Sequence, residues 1–427
     1  MADRPTSVRY IVLLGLCLAA GLAYVHRGTW GIVESTVRSD LDLSTVQTGR
    51  AMAAFFWAYA LFQIPTGLLV DAWGPRRALL LFGLLGAVTM AISAASLQFD
   101  AATGFAVLFA ARILMGIAQA GLFPASTRAI SNWFPVQRRG FATGTLQACM
   151  SAGGAVGAYI TARLLGIVDW PMIFLIYAVP GVVWSFWYFA WFRDRPELHG
   201  GTNVAERTLL KDAYTVTPRP AGTSAFAPFM RLPIILLCIQ QFFRAAPNVF
   251  WMTWCSTYLQ NVHSLDPQKA GQITSLPTFG VVAGSLAGGL LADWVLKRTG
   301  SKRLSRSGVA IGTTLVGVAC FGLAYIVPPG QLGLAMTFLI AGALFTSGGN
   351  PSSYSVAMDL GGRNLAAVFG AMNMAGNFGA ALFSRIVPDW VDEFGWPSVV
   401  LLVAGSYLVA AVCWLPLNPN APERASY

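Results

Sequence analysis

The sequence predicts an all-α polytopic membrane protein, with twelve transmembrane helices in two six-helix bundles. Three observations carry that prediction. The 427 residues are 56% hydrophobic and only 11% charged, too little polar surface for a soluble domain of this size. Apolar runs of about 20 residues, the length that crosses a bilayer, recur along the chain. A polar stretch rich in Gly, Pro and Thr separates six such runs from six more.

The first six are expected near 10–33, 46–70, 77–97, 102–130, 138–164 and 169–192. The second six are expected near 231–260, 268–293, 306–328, 332–357, 363–387 and 394–416. This divides the chain into an N-terminal bundle over 1–192, a linker over 193–230 and a C-terminal bundle over 231–427. Of 28 Lys and Arg, nineteen fall in connectors and tails on one side of the membrane. Only Arg38, Arg163, Lys269 and Arg385 fall on the other. Positive charge collects on the cytoplasmic side, so both termini and the linker are expected there, in a bacterial cytoplasmic membrane. The 27 Phe and 14 Trp suit lipid-facing surfaces and interfacial anchors, and the 44 Gly suit closely packed helices. The first apolar run is too long for a signal peptide and lacks an A-x-A-like site, so no cleaved leader is expected.

Several function classes drop out. The net charge of +10 is spread over connectors without interleaved aromatics, which argues for topology rather than nucleic-acid binding. The six cysteines all lie in apolar runs without CxxC or metal-ligand spacing, and read as small buried hydrophobes. SAGGAVG (151–157) and GVVAGSLAGG (280–289) follow no predicted strand and precede no G-K-[ST], so they read as close-packing surfaces rather than nucleotide loops. There is no HExxH, no GxSxG and no carboxylate pair at mid-membrane, so neither an enzyme nor a cofactor is expected. Pro124, Pro247 and Pro277 are expected to bend helices.

The halves repeat. GLLVDAWGPRR (67–77) follows the second run, and GLLADWVLKR (289–298) follows the eighth. Asp71 and Asp293 are 222 residues apart, and Arg27 and Arg244, in the first and seventh runs, are 217 apart. In membrane proteins such duplication accompanies alternating access around a site between the halves.

Charge inside the runs then points to a ligand. Setting the connectors aside leaves Arg27, Arg50, Arg112, Arg128 and Arg244 within or near the ends of spans. Arg50 and Arg128 lie close enough to helix ends to snorkel. Arg27, Arg244 and Arg112 lie deeper and must avoid lipid. No Asp or Glu sits at mid-depth to pair with them, so the missing anion is best supplied by a small organic substrate. The alternative is that the arginines bond helix carbonyls and glutamines such as Gln119 or Gln240 and only lock the fold. His26, beside Arg27, stays open between hydrogen-bonding lining, substrate contact and proton carrier.

GLLVDAWGPRR resembles the loop 2–3 motif of the major facilitator superfamily, with Gly67, Asp71, Gly74, Arg76 and Arg77 in the motif positions and a degenerate echo at Asp293. The resemblance implies a cytoplasmic gating latch, with the aspartate capping a neighbouring helix, and a protein that works as a monomer among membrane lipids. YVHRGTW, FFWAYALFQIPTGLLVD, ARILMGIAQAGLFPASTRAISNWFPVQRRG and FRDRPELHG are similar to segments of its anion:cation symporter family. That narrower resemblance implies that Arg27 and Arg244 grip an anionic substrate such as a sugar acid. It implies that Tyr59, Gln147, Tyr354 and Asn373 line the site, and that Arg112 belongs to a coupling network. His26 and Gln119 stand where proton-coupled members carry an aspartate and a glutamate. The glutamine is a feature of the related organophosphate:phosphate antiporters, so a coupling proton and a counter-anion both remain open. A receptor of the same fold is the competing class, and the duplicated motif and buried arginines argue against it.

Overall fold

A computed structural model of the chain describes residues 4–211, 227–248, 250–265, 267–274, 276–328 and 330–419. Of the expected linker, positions 212–226 lie outside the described residues. Among the described residues every regular element is a helix. Two compact units result: Met1–Val136 with Cys149–Arg219 and Arg363–Gly370, and Gln137–Ala148 with Pro220–Gly362 and Ala371–Tyr427.

The N-terminal unit is built on α1 (Val8–Asp40), α2 (Thr45–Leu61), α3 (Gln63–Trp73), α4 (Pro75–Ala95), α5 (Ala101–Trp133), most of α6 (Arg139–Leu164), α7 (Trp170–Trp191) and α8 (Val204–Leu210). Local chemistry sets the boundaries. Ser44 and Gln47 form a reciprocal capping box at the start of α2. Asp100 accepts from the Ala102 and Thr103 N–H groups, both at 3.1 Å, to start α5.

The run expected as one helix over 46–70 is broken, and α2 meets α3 at 48°. Pro65 supplies the reason: it has no N–H for the Leu61 carbonyl, and its ring crowds the preceding turn. Thr66 Oγ1 donates to the Phe62 carbonyl at 2.6 Å, which also accepts from the Thr66 N–H at 2.9 Å.

The C-terminal unit holds α9 (Leu232–Ala245), a π-turn over Phe250–Trp254, α10 (Cys255–His263), α11 (Pro267–Thr274), α12 (Leu276–Thr299), α13 (Val309–Ile326), α14 (Leu332–Gly348), α15 (Asn350–Gly361), most of α16 (Leu365–Phe394) and α17 (Val399–Cys413). Its core includes Phe250, Tyr258, Phe321, Leu339, Val403 and Tyr407. Pro277 lies in the first turn of α12 rather than inside a helix, so it starts that helix instead of bending it. Pro124 does lie inside α5, and Pro247 falls between α9 and the π-turn.

Eight helices among the described residues are long and apolar enough to cross a membrane, or nine if the bent α2–α3 pair is one span. Two expected spans, 332–357 and 363–387, fall together in the one apolar run Leu332–Phe394, and two others do not meet that measure, for different reasons. Arg139–Leu164 is diluted by Gly, Ala and Thr. The run over 231–260 is interrupted after Ala245, leaving a 14-residue apolar helix. The chain is therefore an all-α polytopic membrane protein.

Within each unit the same neighbour relations recur. In the first, α4 packs on α5 and α7, α2 on α5, and α1 on α7. In the second, α13 packs on α14 and α17, α12 on α14, and α9 on α17. The duplicated motif also does the same physical work twice. Asp71 accepts from the N–H groups of Ala366 and Ala367 at 3.1 and 3.0 Å, capping the first turn of α16. Asp293 accepts from those of Gly140 and Phe141 at 2.9 and 2.6 Å, capping α6.

Four residues earlier in each copy, a glycine permits the approach. A Cβ on Gly67 would lie 2.6 Å from the Ala366 carbonyl oxygen, and one on Gly289 would lie 2.3 Å from that of Gly140. Gly74 has φ 84°, and a Cβ there would meet Asp194 at 2.7 Å. Asp194 accepts from the Arg76 N–H at 2.7 Å, while Arg76 Nε donates to the Phe189 carbonyl at 2.9 Å. Arg77 is exposed.

Charges that read as connector residues turn out to be buried. Arg128 pairs with Asp71 at 3.9 Å rather than snorkelling, whereas Arg50 is exposed. Asp359 is almost wholly enclosed and lies 3.4, 3.5 and 3.6 Å from Arg139, Arg306 and Lys302. Arg306 also reaches Asp293 at 3.7 Å. Removing one member of such a group leaves buried charge uncompensated. Asp359→Ala is expected to cost about 3–5 kcal/mol of stability, seen as a lower thermal midpoint of the purified protein in detergent.

A close helix crossing gives a second prediction. A Cβ on Gly153 of α6 would stand 2.6 Å from the Gly21 Cα of α1, whereas one on Gly28 would meet nothing within 4 Å. Gly153→Ala is expected to destabilise by about 1–3 kcal/mol through overpacking, and Gly28→Ala to be neutral or mildly stabilising in the same assay.

Candidate functional site

Arg27 projects from α1 into a cluster of rings and amides. Its Cζ lies 5.1 Å from the Tyr24 ring centroid, 4.9 Å from Phe55 and 4.7 Å from Tyr59. Its Nε donates to Gln119 Oε1 at 3.0 Å, and Gln119 Nε2 in turn donates to the Ala23 carbonyl at 2.8 Å. Gln119 is thereby fixed with its oxygen toward the guanidinium. The Nη2 nitrogen of Arg27 is buried without a hydrogen-bond partner. The negative faces of aromatic rings stabilise a cation, but they accept no conventional hydrogen bond from it.

Arg112, on α5, is 5% exposed and lies within 4.7 Å of the Phe55 centroid and 5.3 Å of Trp30. Its Nε is also buried without a partner. Among the described residues neither Arg27 nor Arg112 has a carboxylate within ion-pair distance.

In the C-terminal unit, Arg244 follows a related pattern. Its Nε donates to Gln241 Oε1 at 3.0 Å and its Nη1 to Asn350 Oδ1 at 2.6 Å. A glutamine oxygen thus sets Nε of Arg27 and of Arg244 at the same distance, on different helices in the two units. Gln240 does not touch Arg244 in this way; its Oε1 accepts from Ser353 Oγ at 3.2 Å. Asn350 was not legible as a partner, although its place before Pro351, where α14 ends and α15 begins, marks a special position.

His26 goes elsewhere. Consecutive residues on a helix point about 100° apart. Arg27 therefore faces α2 and α5, while His26 faces α4 and α7. It is 4% exposed, and its Nε2 donates to the Tyr177 carbonyl at 3.0 Å, which places a proton on Nε2. Its ring lines a cavity of about 30 Å³ with Gly86, Gln119, Gly181 and Trp184, room for one or two waters. Gln119 borders both this cavity and Arg27.

The remaining expected site residues fall into two groups. Tyr59 is buried and stacks on Phe55 at 5.9 Å, beside Arg27. Gln147, Tyr354 and Asn373 belong to the C-terminal unit, on α6, α15 and α16. Gln147 is buried with Nε2 unpartnered, Tyr354 is buried, and Asn373 accepts at its carbonyl from Asn377 Nδ2 at 2.9 Å. Phe55 and Trp30 were not anticipated. In a run rich in aromatics, nothing separates a ring beside a guanidinium from one facing lipid. Among the described residues no group of three or more His, Cys, Asp or Glu could hold a metal ion.

Cations such as Arg27 and Arg112, each with a buried nitrogen that lacks an acceptor, suit an anion. Comparisons with known proteins fit it. The chain is 28% identical over 423 residues to a probable sulfoacetate transporter of Cupriavidus necator, covering 96% of this chain and 94% of the relative. It is 25% identical to a D-galactonate transporter of Escherichia coli, covering 97% of each. Among solved structures, a proton:xylose symporter bound to 6-bromo-6-deoxy-D-glucose superposes with a TM-score of 0.72 at 15% identity, covering 95% of this chain and 94% of that one. Residues 13–384 match the family described as the Major Facilitator Superfamily. The chain, with its duplicated helix packing and twice-used aspartate cap, belongs to the Major Facilitator Superfamily.

Proposed function

We propose that the protein carries a small organic anion, a sugar acid or other carboxylate, across a bacterial inner membrane by alternating access. The observation that carries this reading is the pair of deep arginines, Arg27 and Arg244, each held at Nε by a glutamine oxygen. An oriented guanidinium in a low-dielectric interior is a strong receptor for carboxylate and binds it through a planar fork. Relatives named for sulfoacetate and D-galactonate place the substrate among organic acids.

The proposed topology is twelve crossings, with an N-terminal bundle over 1–192, a linker over 193–230 and a C-terminal bundle over 231–427. Both termini and the linker are assigned to the cytoplasm on the positive-inside bias. Asp71 and Asp293, with Gly67, Gly74, Arg76 and Arg77, form the gating elements. Tyr59, Gln147, Tyr354 and Asn373 are assigned to substrate contact, and the carrier works as a monomer.

Transport of labelled sugar acids by counterflow into liposomes holding only this protein tests the reading. Arg27→Ala and Arg244→Ala are each expected to lower counterflow by at least about 100-fold while the protein remains folded. Lysine at either place should rescue poorly, because it keeps the charge and loses the fork. Near-normal counterflow in both alanine variants would restore a purely structural role. Gln119→Glu should also impair binding, because a carboxylate 3.0 Å from Arg27 Nε would compete with the substrate.

On coupling we favour exchange or facilitated movement over proton symport. The positions held by carboxylates in proton-coupled relatives are His26 and Gln119 here, and both are engaged by hydrogen bonds to backbone carbonyls. Uptake should therefore respond weakly to an inward pH gradient, and equally in wild type and His26→Gln. Gradient-driven accumulation lost only in the variant would make His26 the proton carrier.

A further inference from the structure

We infer that the N-terminal unit selects substrates with two acid groups, and that Arg112 is the residue that selects them. This rests on the transport reading and concerns which anions are carried. Arg27 and Arg112 lie 4.9 and 4.7 Å from the centroid of one ring, Phe55, so their Cζ atoms are less than about 10 Å apart. At that distance two fixed positive charges repel through the protein interior.

The rest of the chain treats buried arginine differently. Arg128, Arg139 and Arg306 are each matched to Asp71, Asp359 or Asp293 at 3.9 Å or less. Arg27 and Arg112 are matched to none, and each keeps a buried nitrogen without an acceptor. Arg112 makes no hydrogen bond at all among the described residues, and its enclosing rings, Trp30 and Phe55, are at most 1% exposed. Little of its charge reaches water, since the residue is only 5% exposed and its Nε is buried.

A monoanion gripped by Arg27 offsets one of these charges and leaves the other exposed to a medium that solvates it poorly. A second acid group on the same short carbon chain offsets both. The Phe55 ring between the cations cannot donate or accept conventionally, so the discrimination is one of charge and not of hydroxyl pattern. Hydroxyl recognition falls to other residues. This separates Arg112 from Arg27: Arg27 makes the anion bind, and Arg112 sets how much charge it must bring.

The experiment compares matched acids in liposomes holding the full-length protein: D-glucarate against D-gluconate, and sulfoacetate against 2-hydroxyethanesulfonate. Within at least one pair the diacid should exchange at least about tenfold faster than its monoacid in wild type. Arg112→Gln should bring that ratio within about twofold, and Arg112→Lys should keep most of it, because the charge is what counts. Thermal midpoints in detergent establish that both variants are folded. Equal rates for diacid and monoacid in wild type would overturn the inference and leave the transport reading standing. Equal slowing of both acids in Arg112→Gln, with the ratio unchanged, would also overturn it. Absence of counterflow for all four acids would instead overturn the transport reading, and this inference with it.

Discussion

A half-buried guanidinium must be solvated largely by whatever the protein places around it, and the arrangement near Arg27 follows from that constraint. Three rings and one amide oxygen take the place of the hydration shell. Gln119 can serve only because its own amide nitrogen is anchored to the Ala23 carbonyl, which fixes which end faces the cation. Aromatic faces and amides hold a positive charge without cancelling it. A carboxylate in the same place would hold the arginine more firmly and leave nothing for a ligand to do.

Elsewhere the chain uses the opposite solution, and the contrast separates framework from site. Asp71 and Asp293 each satisfy two orphan N–H groups at a helix start while neutralising an arginine. Helix-end donors and carboxylate charge reinforce one another there. Both aspartates depend on a glycine one turn earlier, since a single Cβ would collide with the capped helix. The motif is thus a packing device and an electrostatic device at once, which is why glycine and aspartate recur together at the same spacing.

Much of this was legible because membranes make charge conspicuous. Arg27 and Arg244 stand out in apolar runs, and the equal offset of two Gly-x-x-x-Asp segments announces a duplicated plan. Other parts were hidden for physical reasons. Arg139, Arg306 and Asp359 sit near helix ends, where sequence cannot tell an exposed connector from a buried cluster. His26 stays open in the sequence between lining, substrate contact and proton carrier, and only the structure shows that it and Arg27, adjacent on one helix, face different neighbours. The break at Phe62 had a signal in Pro65 that the strong apolar pattern around it masked. Pro277 illustrates the converse, because a proline bends a helix only when a helical turn precedes it.

The short helix α8 bears on how the chain is made. Glu206, fully buried, takes a salt bridge from Arg9 at 2.9 Å and hydrogen bonds from the Arg9 N–H and Thr6 hydroxyl. The contact joins positions 197 residues apart and closes the N-terminal segment on itself with residues that all precede α9 in the chain. The first half therefore holds within itself the residues that fasten its two ends, a natural basis for domain-wise folding. At that stage the helix start that Asp71 will cap does not yet exist, and its carboxylate has Arg128 for company. The later half supplies the N–H groups that this acceptor takes. The order of synthesis thus assigns the two aspartates different histories, although their final geometry is nearly the same.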